Sequence, residues 1–141
     1  MILPDVNVLI YAFRADSMDH STYRNWLEGV VNGVEAYGMA PQVLSSLVRI
    51  CTHPRIYKQP SDIGEALAFC NTLLEAPNAT AITPQERHWS IFQTLCNRSK
   101  ATGNLVPDAW LAALAMESGC EWITTDGDFG RFEELNWRRP F

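Results

Sequence analysis

Short apolar runs alternate with longer amphipathic segments along this chain, and this alternation constrains the fold more than any other feature. We predict strands over 1–5, 36–39, 79–82 and 121–124, with a last extended piece around 135–137. The segments between them carry apolar residues at the spacing of amphipathic helices. Because parallel neighbouring strands need a helical crossover, the pattern predicts an α/β fold. We expect a three-layer α/β/α domain with a mostly parallel sheet of four to five strands.

Local signals place the helices between the strands. We predict helices over 7–12, 20–31, 41–51, 63–76, 84–100 and 106–116, with a further helical turn over 128–132. The fifth helix has the clearest start signal, because Thr83 suits the cap, Pro84 the first turn and Glu86 the third position after the cap.

Composition restricts the classes of protein that need to be considered. The 141 residues are 47% apolar, which suits a single packed domain over 1–141. The net charge of −5 argues against a passive nucleic-acid binder, since such proteins carry a basic surface. The four cysteines stand in separate segments, so neither a disulfide framework nor a zinc site is predicted. Neither a signal peptide nor a membrane span is recognisable, and a cytoplasmic protein is expected.

Carboxylates follow two of the predicted strands and begin one of the predicted helices. Asp5 ends the first strand, Asp126 and Asp128 follow the fourth, and Asp108 lies in the first turn of the sixth helix. Each is ordinary by itself, because Asp caps helices, favours helix N-termini and forms turns with Gly. Ligands of open α/β sheets bind beyond the carboxyl ends of the strands. Together the carboxylates therefore predict a site for a hard divalent cation.

Neighbouring polar side chains complete this predicted site. Asn7 is placed to cap the first helix and to orient Asp5 by a hydrogen bond. Thr124 or Thr125 offers a hydroxyl that orients water or phosphate, and Asp128 is a further candidate ligand. We expect His88, on an amphipathic helix, to be a structural or a surface residue. Arg14, Arg49, Arg55, Lys58 and Arg131 are candidates for phosphate contacts, since they fall in loops or near helix ends.

Four motifs, taken in order and spacing, resemble a PIN-domain ribonuclease of the VapC toxin type over essentially the whole chain. They are Asp5-Val6-Asn7-Val8-Leu9, Leu47-Val48-Arg49-Ile50, Asp108-Ala109-Trp110-Leu111-Ala112-Ala113-Leu114-Ala115 and Thr124-Thr125-Asp126-Gly127-Asp128-Phe129. The resemblance implies an endoribonuclease dependent on Mg²⁺ or Mn²⁺ that often cuts structured RNA such as tRNA. It also implies a VapB-like antitoxin as inhibitor and a homodimer. Asp5, Asp108 and Asp126 match acidic positions of the family and are the implied metal ligands.

One position departs from the family pattern. Many members carry a Glu three residues before the residue that matches Arg49, and here that position is Ser46. A catalytically silent PIN domain that binds RNA or a partner protein is therefore the alternative hypothesis. A phosphohydrolase acting on small phosphate esters is a third, although the dehalogenase-like pattern wants Asp-x-Asp where this chain has Asp5-Val6-Asn7.

Overall fold

A five-stranded sheet, parallel throughout, lies at the centre of the computed structural model, which describes all residues from Met1 to Phe141. The strands are β1 (Ile2–Pro4), β2 (Tyr37–Met39), β3 (Ala79–Ala81), β4 (Glu121–Ile123) and β5 (Trp137–Arg138). The helices are α1 (Val6–Phe13), α2 (His20–Val31), α3 (Pro41–Cys51), α4 (Ile63–Glu75), α5 (His88–Ser99) and α6 (Leu105–Ser118), with a 3₁₀ turn over Gly127–Arg131. The predicted fold class, the parallel sheet and the strand number are confirmed.

The order of the strands, β3-β2-β1-β4-β5, places the first strand in the middle of the sheet. The chain moves outward from β1 to β3, then returns through α5 and α6 to β4 on the other side of β1. Because parallel crossovers are right-handed, the two directions put their helices on opposite faces. In agreement, α1 packs on α2 and α3, and α3 on α4, whereas α5 packs on α6. The direction reverses between β1 and β4, which creates a crevice at their carboxyl ends.

Pro4 lies in this central strand although it has no N–H to donate. On one side, β1 pairs with β4 through Pro4, and the next residue, Asp5, donates its N–H to the Ile123 carbonyl at 2.8 Å. N–H groups alternate in direction along a strand, so the missing one would face β2. β1 pairs with β2 at Ile2 alone, so the hydrogen-bond ladder between these two strands ends before Pro4 would interrupt it.

The start of α5 differs from the prediction. The helix begins at His88, not at Pro84, and its N-cap residue, Arg87, provides no capping side chain. Glu117 of α6 takes that role, since its carboxylate accepts the N–H groups of Gln85 at 2.7 Å and Arg87 at 2.8 Å. The local capping signal at Thr83 was wrong because a partner distant in sequence satisfies the helix end.

Small residues let α6 pack closely on the sheet. Ala109, Ala112, Ala113 and Ala115 are fully buried, and Gly119 ends the helix in the left-handed conformation at φ 69°. Close packing brings the first turn of α6, with Asp108, toward the carboxyl ends of the strands. No helix is long and apolar enough to cross a lipid bilayer.

Candidate active site

Asp5 is the most constrained carboxylate of the chain. It directly follows β1, is 4% exposed, and caps α1 by accepting the Val6 N–H at 2.6 Å through Oδ1. Its other oxygen, Oδ2, accepts the Thr124 hydroxyl at 2.6 Å and the Asn7 amide at 3.2 Å. A carboxylate has about four lone-pair positions, so these three donors leave about one for a further partner.

Thr124 and Asn7 join the ends of β1 and β4. Thr124 is fully buried after β4, and while it donates to Asp5 its oxygen accepts the Asp126 N–H at 3.0 Å. Asn7 donates to Thr124 at 3.2 Å and accepts the Thr125 N–H at 3.3 Å. The expectation that Asn7 caps α1 is wrong, because Asp5 does so, but the hydrogen bond from Asn7 to Asp5 is present.

The remaining carboxylates act on Asp5 and on one another through their charge. Burial, together with the charges of Asp108 and Asp126, raises the pKa of Asp5 to about 6, against the hydrogen bonds from Thr124 and Val6 that lower it. Burial also raises the pKa of Asp108, as do the charges of Asp126 and Asp128. The structure therefore brings Asp5, Asp108, Asp126 and Asp128 into one electrostatic cluster at the crevice, which we call the acidic cluster.

This cluster has the chemistry of a hard-cation site. Carboxylate oxygens are the ligands that Mg²⁺ and Mn²⁺ prefer, and a bound cation relieves the repulsion that raises the pKa of Asp5 and Asp108. As the side chains stand, no three Asp, Glu, His or Cys residues are close enough together to hold a metal ion. One reason is that Asp126 is turned toward its own 3₁₀ helix, where it accepts the Asp128 N–H at 2.9 Å. The carboxylates thus act on one another through their charge, although no three of them converge on one ion position as the side chains stand.

Thr124 supplies a test of this network. Thr124→Val keeps the shape of the side chain but removes the donor to Asp5 and the acceptor of the Asp126 N–H. The buried Asp5 carboxylate then loses one of its three hydrogen-bond donors. We therefore expect the free energy of unfolding at pH 7 to fall by about 1–3 kcal/mol in denaturant titrations. Thr125→Val is the matched control, since the Thr125 side chain makes no hydrogen bond; an equal loss in both variants would contradict this role of Thr124.

The predicted phosphate-binding arginines have different environments. Arg49, Arg55 and Arg131 are exposed and form no ion pair. Arg14 is buried: its guanidinium bonds Asp16 at 2.9 and 2.7 Å, Ser61 at 2.9 Å and the Gln59 carbonyl at 3.0 Å. It also lies over the Tyr57 ring, 3.6 Å from the centroid. Arg14 is 8% exposed, and four of its five N–H donors are used by Asp16 and by the loop between α3 and α4, which contradicts the prediction of Arg14 as an RNA contact.

Arg14→Ala is accordingly expected to affect stability. The substitution leaves the Ser61 hydroxyl and the Gln59 carbonyl without their donor and removes the stacking on Tyr57. We expect a loss of about 2–4 kcal/mol in the free energy of unfolding, measured by urea denaturation. Arg24→Ala breaks an exposed ion pair with Glu28 and is expected to cost less than about 0.5 kcal/mol. Similar losses for the two variants would refute the anchoring role of Arg14.

Gln42 and His88 both contact Trp110, and sequence reasoning missed the first of them. Gln42, in the first turn of α3, accepts the indole N–H of Trp110 at 2.8 Å, and Trp110 follows Asp108 by two residues on α6. Gln42 lies three residues after the end of β2, and its contact with Trp110 on another helix, not a local signal, gives it significance. His88 is buried and bonds the Trp110 carbonyl at 2.9 Å, which fits the predicted structural role.

Comparisons with known proteins agree with this architecture. The family model for the PIN domain matches residues 2–135. The VapC ribonuclease Mb2897 of Mycobacterium bovis is 41% identical over 140 residues, which cover 99% of this chain and 95% of that protein. Ribonuclease VapC25 of Mycobacterium tuberculosis is 35% identical, with 99% of both chains covered.

Solved structures show the same fold at much lower sequence identity. VapBC2 from Rickettsia felis, bound to a DNA fragment from its promoter, aligns with a TM-score of 0.72 at 17% identity, covering 99% of this chain and 98% of that one. VapBC-1 from nontypeable Haemophilus influenzae aligns with a TM-score of 0.69 at 18% identity and the same coverage. The sheet order and the helices described above are therefore those of a known architecture.

Proposed function

The chain belongs to the VapC group of the PIN-domain family, and from this premise we propose that it is an endoribonuclease that hydrolyses RNA phosphodiester bonds with the help of Mg²⁺ or Mn²⁺. The observation that carries the proposal is the acidic cluster at the point where the strand order reverses, with Asp5 held by Thr124 and Asn7. The names of the related ribonucleases support the substrate class.

Each residue of the site has a proposed role. Asp5, Asp108 and Asp126 would hold the cation, and Asp128, which is exposed beside them, adds negative charge to the same region. When bound, a cation would lower the pKa of the attacking water and neutralise negative charge on the scissile phosphate. Thr124 and Asn7 fix the orientation of Asp5 by donating to its Oδ2. No Ser, Cys or His nucleophile is required, in line with the buried, hydrogen-bonded position of His88.

Ser46 motivates a second candidate function. The middle of α3 lacks the Glu that the family pattern places at this position, so the site has one carboxylate fewer than expected. A domain that binds RNA or a protein without cleavage would tolerate this loss. The two functions differ in whether RNA is cut in the presence of a divalent cation.

The biological setting follows from the same membership. We propose that residues 1–141 form a single PIN domain that acts as the cytoplasmic toxin of a toxin–antitoxin pair. A VapB-like antitoxin would be its partner, which the VapBC complexes among the structural relatives support. A homodimer is proposed on the same grounds.

Incubation of the purified protein with total RNA and Mn²⁺ tests the catalytic proposal. We expect discrete cleavage products from the wild type, none in EDTA, and none from Asp108→Asn. Asp62→Asn is a matched control, because Asp62 is an exposed N-cap of α4 and Asn caps helices equally well. RNA profiles that are identical for the wild type and Asp108→Asn would favour the silent module.

A further inference from the structure

A stripe of hydrogen-bond donors without protein partners runs along one face of α3. It consists of Gln42, Ser45, Ser46 and Arg49, and we call it the donor stripe. Residues three, four and seven positions apart share one side of a helix, so these side chains point into the same region. The stripe begins near the acidic cluster, because α3 follows β2, whose carboxyl end lies beside that of β1, and α3 packs on α1, the helix that Asp5 caps.

The orientation of Gln42 is fixed by the chemistry of its partner. An indole N–H donates and cannot accept, so the Gln42 oxygen must face Trp110 and the amide nitrogen must face away. Gln42 is exposed, and its amide N–H groups make no hydrogen bond within the protein. Two unused donors are thereby held near a site whose carboxylates are acceptors.

The two serines of the stripe differ from the other hydroxyls that lie beyond the first turn of a helix in this chain. The hydroxyls of Thr52, Thr72, Thr94, Ser99 and Ser118 each donate to the carbonyl four residues earlier. Ser45 and Ser46 make no such bond, so their hydroxyls are free to meet an external acceptor. A Glu at Ser46, as in the family pattern, would place an acceptor and a negative charge in the middle of this face.

Arg49 completes the stripe with a positive charge. It is exposed, forms no ion pair, and belongs to a helix that contains no Asp or Glu. This is notable in a chain with 16 acidic and 11 basic residues. The seven residues between Gln42 and Arg49 advance about 10 Å along the helix axis, so the stripe leads away from the acidic cluster.

We propose that the donor stripe binds the ribose–phosphate backbone of a single-stranded RNA segment on one side of the cleavage site. The inference rests on the proposed function and assigns part of its substrate-binding surface. An acidic cluster repels the phosphates that flank the scissile bond, and a neighbouring face of donors with no acidic residue offsets that repulsion. In this view Ser46 is a substrate-binding residue, not a lost ligand.

Binding of a fluorescently labelled single-stranded RNA, measured by anisotropy in EDTA at several salt concentrations, tests the proposal without cleavage. We expect Arg49→Gln to weaken binding about tenfold and to lower the slope of log K against log salt by about 0.7. Gln42→Ala should weaken binding a few-fold, which is the loss expected for one hydrogen bond, and should leave the slope of log K against log salt unchanged. Ser46→Glu should weaken it more than Ser46→Gln, because only Glu adds a negative charge.

Matched variants elsewhere provide the controls. Gln93→Ala removes an exposed amide from α5, and Arg24→Gln removes one charge from the exposed face of α2. If the donor-stripe variants bind RNA as tightly as these control variants, the inference is overturned. It is also overturned if the wild type does not bind RNA. A change of oligomeric state in Arg49→Gln, seen by light scattering without a change in slope, would identify the face as a protein interface and also overturn it.

The inference and the proposed function fail in different ways. If the wild type binds RNA through the stripe but cuts nothing with Mn²⁺, the catalytic proposal fails and the binding surface stands. If the wild type cuts RNA and the Arg49→Gln slope is unchanged, the binding surface is rejected. Increased cleavage by Ser46→Glu, with a larger metal-induced rise in melting temperature, would assign position 46 to the metal site and reject its role in RNA binding.

Discussion

Asp108→Asn is expected to lower the rate of RNA cleavage by at least about 10²-fold, because it removes one of the three carboxylates proposed to hold the cation. Asp108 lies in the first turn of α6, half-buried beside Asp126 and Asp128. Asn is nearly isosteric, so the packing of the helix start is preserved. The rate is measured on a defined RNA under single-turnover conditions with Mg²⁺ and with Mn²⁺.

A physical measurement separates loss of the cation from loss of the fold. Millimolar Mg²⁺ or Mn²⁺ should raise the melting temperature of the wild type, since a cation that binds the folded state stabilises it. Asp108→Asn should lose most of this rise while melting normally in EDTA. If the variant still cuts RNA at a rate within a few-fold of the wild type, Asp108 has no part in catalysis. A full metal-induced rise in the variant would exclude it as a ligand.

The sequence predicts most elements of this fold because their signals are local. The apolar stripe of Tyr23, Trp26 and Leu27 predicts a helix over 20–31, and α2 has these bounds. The start of α5 and the role of Arg14 are different, because each depends on a partner far along the chain. Glu117 satisfies the N–H groups at the start of α5, and the loop around Gln59 and Ser61 determines the role of Arg14. Neither contact leaves a periodic or capping signal at the residue concerned.

The site shows the same division between local and distant information. Strand ends and a helix start identify Asp5, Asp108 and Asp126 as candidates, but no local pattern encodes that β4 lies beside β1. The structure adds that neighbour relation and with it the hydrogen bond from Thr124 to Asp5. Gln42 escaped notice because its significance comes from Trp110, a residue of another helix.

The metal-free protein is expected to lose stability as the pH rises from about 4 to about 6. Burial, with the charges of Asp108 and Asp126, raises the pKa of Asp5 from its ordinary value of 3.8 to about 6. Within this window the folded state keeps the Asp5 proton that the unfolded state has lost, so the folded state is favoured at the acidic end. At about 1.4 kcal/mol per pKa unit, the contribution of Asp5 falls by about 3 kcal/mol in all, most of it within this window, and levels off above it.

Comparison with Asp5→Asn isolates this contribution from the other carboxylates, including Asp108, whose raised pKa acts in the same direction. Urea denaturation in EDTA at pH 4, 5, 6 and 7 gives the free energy of unfolding for both proteins. The wild type should become less stable relative to the variant by about 2 kcal/mol between pH 4 and pH 7. Two parallel curves of unfolding free energy against pH would mean that folding does not disfavour the ionised form of Asp5. The burial and charge repulsion that a divalent cation is proposed to offset would then have no effect on Asp5.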